Sequence, residues 1–169
     1  MSAAMFDRYD PGDYRAIVGN FTAQRSTTLF AKARGFNEAT KLGLRYERRV
    51  EKALHKSKLR HVEQIEHNPW FIFADTMGKD YCSPDFLLHL CNGSIIVAEV
   101  KLTWNAQAIA KLNDLYVPVV AKALCTRTMP LVICKKLVPN APKAEYTISS
   151  ALASPTKLLF WPDNANIQW

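Results

Sequence analysis

Three charged residues, Asp85, Glu99 and Lys101, interrupt two apolar segments near the middle of the chain. The segments belong to the stretch SPDFLLHLCNGSIIVAEVKLTW, residues 83–104, which is typical of a hairpin of two strands. Strands this apolar are normally buried, and an unpaired charge is costly in such surroundings. Two carboxylates and an amine at one end of the hairpin therefore indicate chemistry and not merely stability.

The two faces of the second strand differ. Side chains alternate between the faces with a period of two, so that one face is apolar throughout and the other changes from apolar to charged. The apolar face consists of Ile96, Ala98, Val100 and Leu102, and the other of Ile95, Val97, Glu99 and Lys101. The strand is therefore predicted to be buried on both faces until its C-terminal end, which opens into a polar environment.

The turn of the hairpin decides which residue faces Asp85. A two-residue Asn-Gly turn would place Asp85 opposite Val100. A three-residue loop over 91–93, with glycine in the left-handed region and a bulge, would instead place it opposite Glu99, about 5 Å away at Cβ. We favour the three-residue loop, because it would place both carboxylates where they could act together.

A divalent cation would explain two facing carboxylates. Two like charges about 4 Å apart repel by about 4 kcal/mol at an effective dielectric of about 20, which folding alone does not reward. Oxygen ligands of this kind suit Mg²⁺ or Mn²⁺, which keep several of their waters. Lys101 points to the same face as Glu99 and could hold a metal-bound water or a phosphate oxygen.

The surrounding segments predict the elements that position the hairpin. Asn37 is a plausible cap for a helix over 37–57, since good helix formers follow it without proline. Asn105 is a possible cap for a helix over 105–124, which Pro118 would kink or break. Strands are also predicted at 69–75, 129–138 and 156–163, whereas residues 141–152 do not favour either state.

The predicted order is a helix, three meandering strands, a helix, a strand and a further strand. A helical crossover after a meander produces a mixed sheet with helices packed on it. We therefore expect an α/β (α+β) fold with a mixed four- to five-stranded sheet flanked by helices. Residues 38–169 are predicted to form this single domain, and residues 1–37 a basic N-terminal arm that could include a short helix.

The motif Pro84-Asp85, followed after thirteen residues by Glu99-Val100-Lys101, resembles the signature of the PD-(D/E)XK nuclease superfamily. The core of that family is a helix, three antiparallel strands, a helix and a strand, which matches the predicted order over about residues 40–140. The motif is short, but here it lies in apolar strands with charges at one end only. The Gln-x-x-x-Tyr motif of the RecB-like branch is absent, because Leu112 stands four residues before Tyr116.

The resemblance implies Mg²⁺- or Mn²⁺-dependent hydrolysis of DNA to 5′-phosphate and 3′-hydroxyl ends, in recombination, repair or phage DNA processing. Asp85, Glu99 and the carbonyl of Val100 would bind the metal, and Lys101 would position or help deprotonate the attacking water. Gln107, in the following helix, is a candidate contact to metal-bound water or to phosphate, or else a polar surface residue.

Members of this family often carry a further acid on the helix before the sheet. Glu47 resembles that residue, because it lies on the apolar helical face with Val50 and Leu54, where an unpaired carboxylate is costly. Glu51, one turn later, is the alternative. A salt bridge to a nearby arginine would explain either acid without catalysis.

The basic charge is concentrated in the first third of the chain. Residues 1–60 carry 13 Lys/Arg against 6 Asp/Glu, and residues 61–169 carry 9 of each. A localised basic region favours a polyanion such as DNA, although it also suits a solvated surface. The candidate phosphate contacts on the helix are Arg45, Arg48, Arg49, Lys52 and Lys56. No base-reading module is evident, so structure-selective or non-specific cleavage is expected.

Two other function classes remain open: a nucleic-acid-binding module of the same fold without catalysis, and a small-molecule enzyme or interaction protein with incidental charges. The resemblance also allows a homodimer. Four cysteines without zinc spacing are predicted to be buried thiols in a reducing compartment. The N-terminus lacks an apolar signal region and no segment is long enough to span a membrane, so a soluble, cytoplasmic protein is expected.

Overall fold

A computed structural model describes residues 15–30 and 37–169 of the chain. Within these ranges the strands form two sheets, one with three strands and one with five. The elements in chain order are β1 (Thr22–Arg25), α1 (Glu38–Lys56), β2 (Val62–His67), β3 (Phe71–Asp75), β4 (Gly78–Cys82), β5 (Phe86–Leu90), β6 (Ile95–Thr103), α2 (Ala106–Lys111), a π-helical turn (Leu112–Tyr116), α3 (Val117–Leu124), β7 (Thr128–Lys136), α4 (Ile148–Ala153) and β8 (Leu158–Phe160).

The larger sheet is mixed and has the order β2-β5-β6-β7-β8. Strands β2, β5 and β6 are antiparallel neighbours, and β7 and β8 continue the sheet in parallel. Parallel pairing of β6 with β7 requires a crossover, which the helices between them supply. The expected α/β (α+β) fold with a mixed sheet and flanking helices is therefore confirmed, and the order helix, three antiparallel strands, helix, strand is found.

The first strand of that core was predicted at the wrong place. Segment 69–75 does contain β3, but β3 pairs with β1 and β4 in the smaller sheet. The core position is occupied by Val62–His67, for which no strand was predicted. This strand is half-exposed and carries charged and polar side chains, so its sequence lacks the apolar run that marks the buried strands.

The hairpin β5–β6 has the three-residue loop. The pairs Phe86 with Ala98 and His89 with Ile95 define its register. The amide of Gly93 donates to the carbonyl of Leu90 at 2.9 Å, which closes the turn. Gly93 has a φ of 85°, a left-handed conformation that glycine adopts without strain. The same register places residue 85 opposite residue 99, as the three-residue loop predicts.

Helix α1 covers one face of the larger sheet. Its N-cap is Asn37, whose side chain accepts from the amide of Thr40. Its buried face consists of Tyr46, Glu47, Val50 and Leu54. The apolar members of this face pack in one cluster with the side of β5 and β6 that includes Phe86, Leu88, Ile96 and Ala98.

The opposite face of the larger sheet is covered by the second predicted helix. This helix consists of three parts: α2, the π-helical turn and α3. Asn105 caps α2 by accepting from the amide of Ala108. The predicted disturbance at Pro118 takes the form of the π-helical turn before it. Because proline has no amide hydrogen, the carbonyl of Asp114 lacks its usual donor in the helix. The amide of Ile17 donates to this carbonyl instead, at 3.0 Å.

The described part of the N-terminal segment belongs to the folded unit. Residues 15–30 contain β1, and no helix occurs within this range. Arg25 of β1 donates two hydrogen bonds of 2.8 and 2.7 Å to Glu66 of β2, which ties the smaller sheet to the larger one. A boundary at residue 37 therefore does not separate this segment from the domain. The rest of the predicted arm, 1–14 and 31–36, lies outside the described residues.

All four cysteines are free thiols. Cys82 and Cys134 are buried as predicted, but Cys91 and Cys125 are exposed, because they lie in loops and not within the apolar segments beside them. Among the described residues, no helix is both long and apolar enough to cross a membrane.

Candidate active site

Asp85 and Glu99 meet at one end of the hairpin. Asp85 immediately precedes β5, and Glu99 lies near the end of β6; their exposed fractions are 5% and 2%. The Oδ2 atom of Asp85 accepts a hydrogen bond of 2.8 Å from the amide of Val100. This bond fixes the carboxylate against the neighbouring strand, on the residue next to Glu99.

Two lysines approach the same oxygen of Glu99. The Nζ atom of Lys101 lies 3.0 Å from Glu99 Oε1, and Nζ of Lys111 lies 3.4 Å from it. Lys101 is the next residue but one on β6, so it points to the same side as Glu99. Lys111 comes from the last turn of α2. The carboxylate is thus held from the strand and from the covering helix.

The pKa of Lys101 reflects a balance between its burial and the charges of nearby acids. Burial by itself would lower the pKa of Lys101. The charges of Glu99 and Asp85 and the hydrogen bond to Glu99 outweigh this effect, and Glu47 adds to them, so the pKa is raised above its ordinary value of 10.5. The charges of acids on β6, before β5 and on α1 therefore all act on this ammonium group, and Glu99 contacts it directly at 3.0 Å.

Glu47 is the helix acid nearer to this ammonium group. It is 4% exposed, and its Oε1 lies 2.9 Å from Nε2 of His67. Glu51, the alternative acid, lies 3.3 Å from Nδ1 of the same ring and is half-buried. The ring of His67 stacks on Phe86 with 4.7 Å between centroids. His67 thus links both helix acids to the end of β2, while Glu47 alone of the two contributes to the environment of Lys101.

Three residues near Asp85 in the chain or in hydrogen bonding carry buried polar atoms that are unpaired within the described residues. In the described residues the buried side-chain oxygens and nitrogens without a hydrogen-bond partner are Oδ1 of Asn68, Oγ of Ser83 and Oε2 of Glu99. The amide of Asn68 donates to the carbonyl of Asp85 at 2.8 Å, and Ser83 is two residues before Asp85. Buried polar atoms are nearly always paired. The unpaired Oε2 of Glu99, on the residue opposite Asp85, could therefore accept from a water or bind a hydrated ion.

These residues fit a cation of the Mg²⁺ type. Glu99 offers a buried carboxylate oxygen that no group in the described ranges hydrogen-bonds, and Asp85 lies opposite it. No group of three or more His, Cys, Asp or Glu side chains in the described ranges has an arrangement that could hold a metal. Mg²⁺ does not require one, because it commonly binds through one or two carboxylates and retains its waters. The contact shown for Val100 is through its amide, and its carbonyl as a ligand stays a prediction.

Lys111 and His67 were missed in the sequence. Lys111 occupies a position on the apolar face of α2, three residues after buried Ala108 and four before buried Leu115. A lysine at such a position is a signal, since lysine is almost never fully buried unless paired. His67 gave no comparable signal, because β2 itself was not recognised.

The basic residues of α1 do not all face the acidic cluster. All five are exposed, on the side of the helix away from the sheet. Arg49 pairs with Asp163 at 2.5 Å. Together with Lys52 and Lys56 it lines a cleft of about 630 Å³ that is closed by Trp161 and residues 163–166. Three of these residues thus border a cleft whose lining does not include the acids, and their contacts with phosphate stay a prediction.

Gln107 lies in the first turn of α2 and is exposed. It precedes Lys111 by four residues and so lies on the same side of the helix, one turn nearer its start. This places Gln107 towards the same end of the sheet as Glu99. Its contact with metal-bound water or phosphate stays a prediction.

Comparison with known proteins found no family model that matches the chain, no similar curated protein and no similar solved structure.

Proposed function

We propose that the protein is a Mg²⁺- or Mn²⁺-dependent nuclease that hydrolyses DNA phosphodiester bonds to 5′-phosphate and 3′-hydroxyl ends. One observation carries the proposal. Glu99 contacts the amine of Lys101 and lies opposite Asp85, which the amide of Val100 holds in place, while a buried oxygen of Glu99 has no partner within the described residues. A cluster kept only for stability would be expected to pair that oxygen.

Asp85 and Glu99, with the carbonyl of Val100, would hold the metal. When bound, a divalent cation supplies an activated water near neutral pH and stabilises negative charge on the phosphate. The unpaired Oε2 of Glu99 suits this role, because its other oxygen is already engaged by lysines. The hydrogen bond from the Val100 amide keeps Asp85 in place before the metal arrives.

Lys101 is the candidate catalytic base or water-positioning residue. Its side chain is 29% exposed, so the amine can meet substrate while remaining beside the acids. Its ion pair with Glu99 favours the ammonium form, which would position a water and stabilise developing charge. Glu47, held by His67, would orient a further water on the side of α1.

DNA would be bound mainly through its phosphates. The exposed basic residues of α1 and the cleft beside Arg49 provide contacts that do not depend on sequence. Structure-selective or non-specific cleavage follows from this arrangement. A homodimer, which the family resemblance allows, is testable by light scattering of the purified chain.

The test is cleavage of supercoiled plasmid with Mg²⁺ or Mn²⁺, with EDTA, and with the variant Lys101→Ala. We expect nicking that needs the metal and is lost in the variant. Lys79→Ala is the matched control, since Lys79 is an exposed lysine on β4 in the smaller sheet. Labelled linear, flapped and four-way DNA would then identify the preferred structure.

The alternative is a nucleic-acid-binding module without catalysis. The two lysines beside Glu99 favour this alternative, because they balance the negative charge of its carboxylate without a metal. It predicts salt-dependent DNA binding with no cleavage in any metal. Incidental charges would instead give neither binding nor cleavage, and either outcome would refute the nuclease.

A further inference from the structure

Lys111 is a buried lysine to which the proposed mechanism assigns no role. Its side chain is 4% exposed, against 29% for Lys101. The amine lies 3.4 Å from Oε1 of Glu99 and 5.0 Å from the centre of the Tyr116 ring. Burying an ammonium group is expensive unless a negative charge and further contacts compensate it. Glu99 and the aromatic ring supply that compensation.

The helix geometry around Lys111 is built to hold it. Tyr116 is five residues after Lys111, and the intervening turn is π-helical. An α-helix brings residues three and four apart together, whereas a π-helix pairs residues five apart. The turn therefore places the Tyr116 ring beside the Lys111 amine. π-helical turns are rare and frequent at functional sites, which supports a role for this contact beyond packing.

The two lysines on Glu99 differ in what they are able to do. Lys101 is partly exposed at the end of β6, so its amine can turn towards an arriving phosphate. Lys111 is enclosed between Glu99 and Tyr116 and has no comparable access. If Lys101 left Glu99 during binding, Lys111 would still neutralise Oε1. Only Oε2 would then face the position of the cation.

We propose that Lys111 is a positioning residue, a built-in cation that holds Oε1 of Glu99 and directs Oε2 to the metal. This inference rests on the proposed function for the identity of the metal. It has a consequence that does not depend on cleavage. Before the metal binds, Lys111 stabilises the buried carboxylate of Glu99; once the metal binds, the same charge repels it. Removing the charge should destabilise the metal-free protein and tighten cation binding.

The experiment compares thermal unfolding of the full chain with and without Mg²⁺, using Ca²⁺ as a second probe. The variants are Lys111→Met, which removes the charge, and Lys111→Arg, which keeps it. Lys122→Met is the matched control, because Lys122 also lies against an aromatic ring, that of Phe21 at 5.5 Å, but on α3.

We expect Lys111→Met to unfold at a lower temperature without metal and to gain more from Mg²⁺ than the wild type, with binding roughly tenfold tighter or more. Lys111→Arg and Lys122→Met should respond like the wild type. If the Met variant is unfolded without metal, Mg²⁺ should restore its helical circular dichroism. A merely structural lysine would lower the unfolding temperature without enlarging the response to Mg²⁺, and that result would overturn the inference.

Single-turnover cleavage at saturating Mg²⁺ separates this inference from the proposed function. We expect Lys111→Met to be slower by about 10- to 100-fold with little change in KM, since a displaced carboxylate misplaces the reacting groups. A wild type that responds to Mg²⁺ but never cleaves would refute the nuclease and leave the positioning role in place. A wild type that cleaves, with a Met variant equal to it in both assays, would refute only the positioning role. No Mg²⁺ response in any variant would refute both.

Discussion

Two clusters of charged side chains in the described part of the chain are built in opposite ways. The acidic cluster, made of Glu47, Asp85, Glu99 and Lys101, lies at the end of the larger sheet. The Arg15 cluster, made of Arg15, Asp75 and Asp80, lies on the smaller sheet, where the guanidinium contacts Asp75 at 2.6 Å and Asp80 at 3.2 Å.

Every oxygen of Asp75 is used. Its Oδ2 accepts from Arg15 and from the amide of Val18, and its Oδ1 accepts from the amide of Met77. The hydrogen bond from Arg15 is the largest cause that holds the pKa of Asp75 at about 2; burial opposes it, and the two backbone amides support it. In the acidic cluster, Oε2 of Glu99 is buried without a partner among the described residues. A charge kept for structure saturates its hydrogen bonds, whereas a charge kept for binding leaves capacity unused.

The largest effect on cleavage is expected from Asp85→Asn, which removes a carboxylate charge from the acidic cluster. The change removes a charge that the metal needs, so we expect single-turnover cleavage of plasmid DNA to fall by about 10²–10³-fold. An amide oxygen can still accept from the Val100 amide, and the variant relieves repulsion between acids. The unfolding temperature should therefore change little. An active variant would show that Asp85 is not part of the site.

Asp75→Asn makes the corresponding change in the Arg15 cluster, where we expect stability and not cleavage to change. It weakens the contact with Arg15, so thermal stability should fall at neutral pH while cleavage stays at the wild-type rate under conditions where both proteins are folded. A depressed pKa contributes stability that is present above the ordinary pKa of 3.8 and lost as the pH falls towards about 2.

The pH dependence provides the control for that experiment. The stability difference between wild type and Asp75→Asn should be constant above the ordinary pKa of 3.8 and close as the pH falls through this window. Circular dichroism melts across the acid range would measure it. A difference that persists at the lowest pH would show that Asp75 contributes by shape and not by charge.

The smallest effect is expected for charges that belong to neither cluster. Lys52 and Lys56 are exposed beside the cleft on α1. Replacing each with Gln should weaken DNA binding alike for all sequences and reduce the slope of log K against log salt by about 1 per lysine. Lys143→Gln, at an exposed lysine near Glu145, is the control. An unchanged slope would place the DNA elsewhere on the surface.

The hairpin and its acids could be predicted because the relevant physics is local. Alternation along β6 identified the face that carries Glu99, and the turn sequence allowed two loop lengths, of which the favoured three-residue loop is found. These two features set the register, and the register sets which residue lies opposite Asp85. The caps Asn37 and Asn105 were equally local, since each side chain bonds to an amide three residues on.

The assignment of strands to sheets could not be predicted in the same way. Segments Phe71–Asp75 and Val62–His67 are six residues or fewer in length and differ in apolarity, and the more apolar one was expected in the core sheet. Its place is decided by pairing with Thr22–Arg25, which is more than 40 residues away along the chain. The pattern of apolar and polar residues within a strand does not show which distant segment it pairs with.

The sequence by itself determined the fold class and the face of β6 that carries Glu99, and it favoured the register in which Asp85 meets Glu99, because propensity, alternation and turn chemistry act over a few residues. Only the tertiary structure decided that His67 holds Glu47, that Lys111 shares Glu99 with Lys101, and that the basic face of α1 opens on a separate cleft. Each of these depends on which helix or strand packs beside another. Burial of apolar surface stabilises any packing in which apolar surfaces fit, so the sequence of one element does not identify its neighbour.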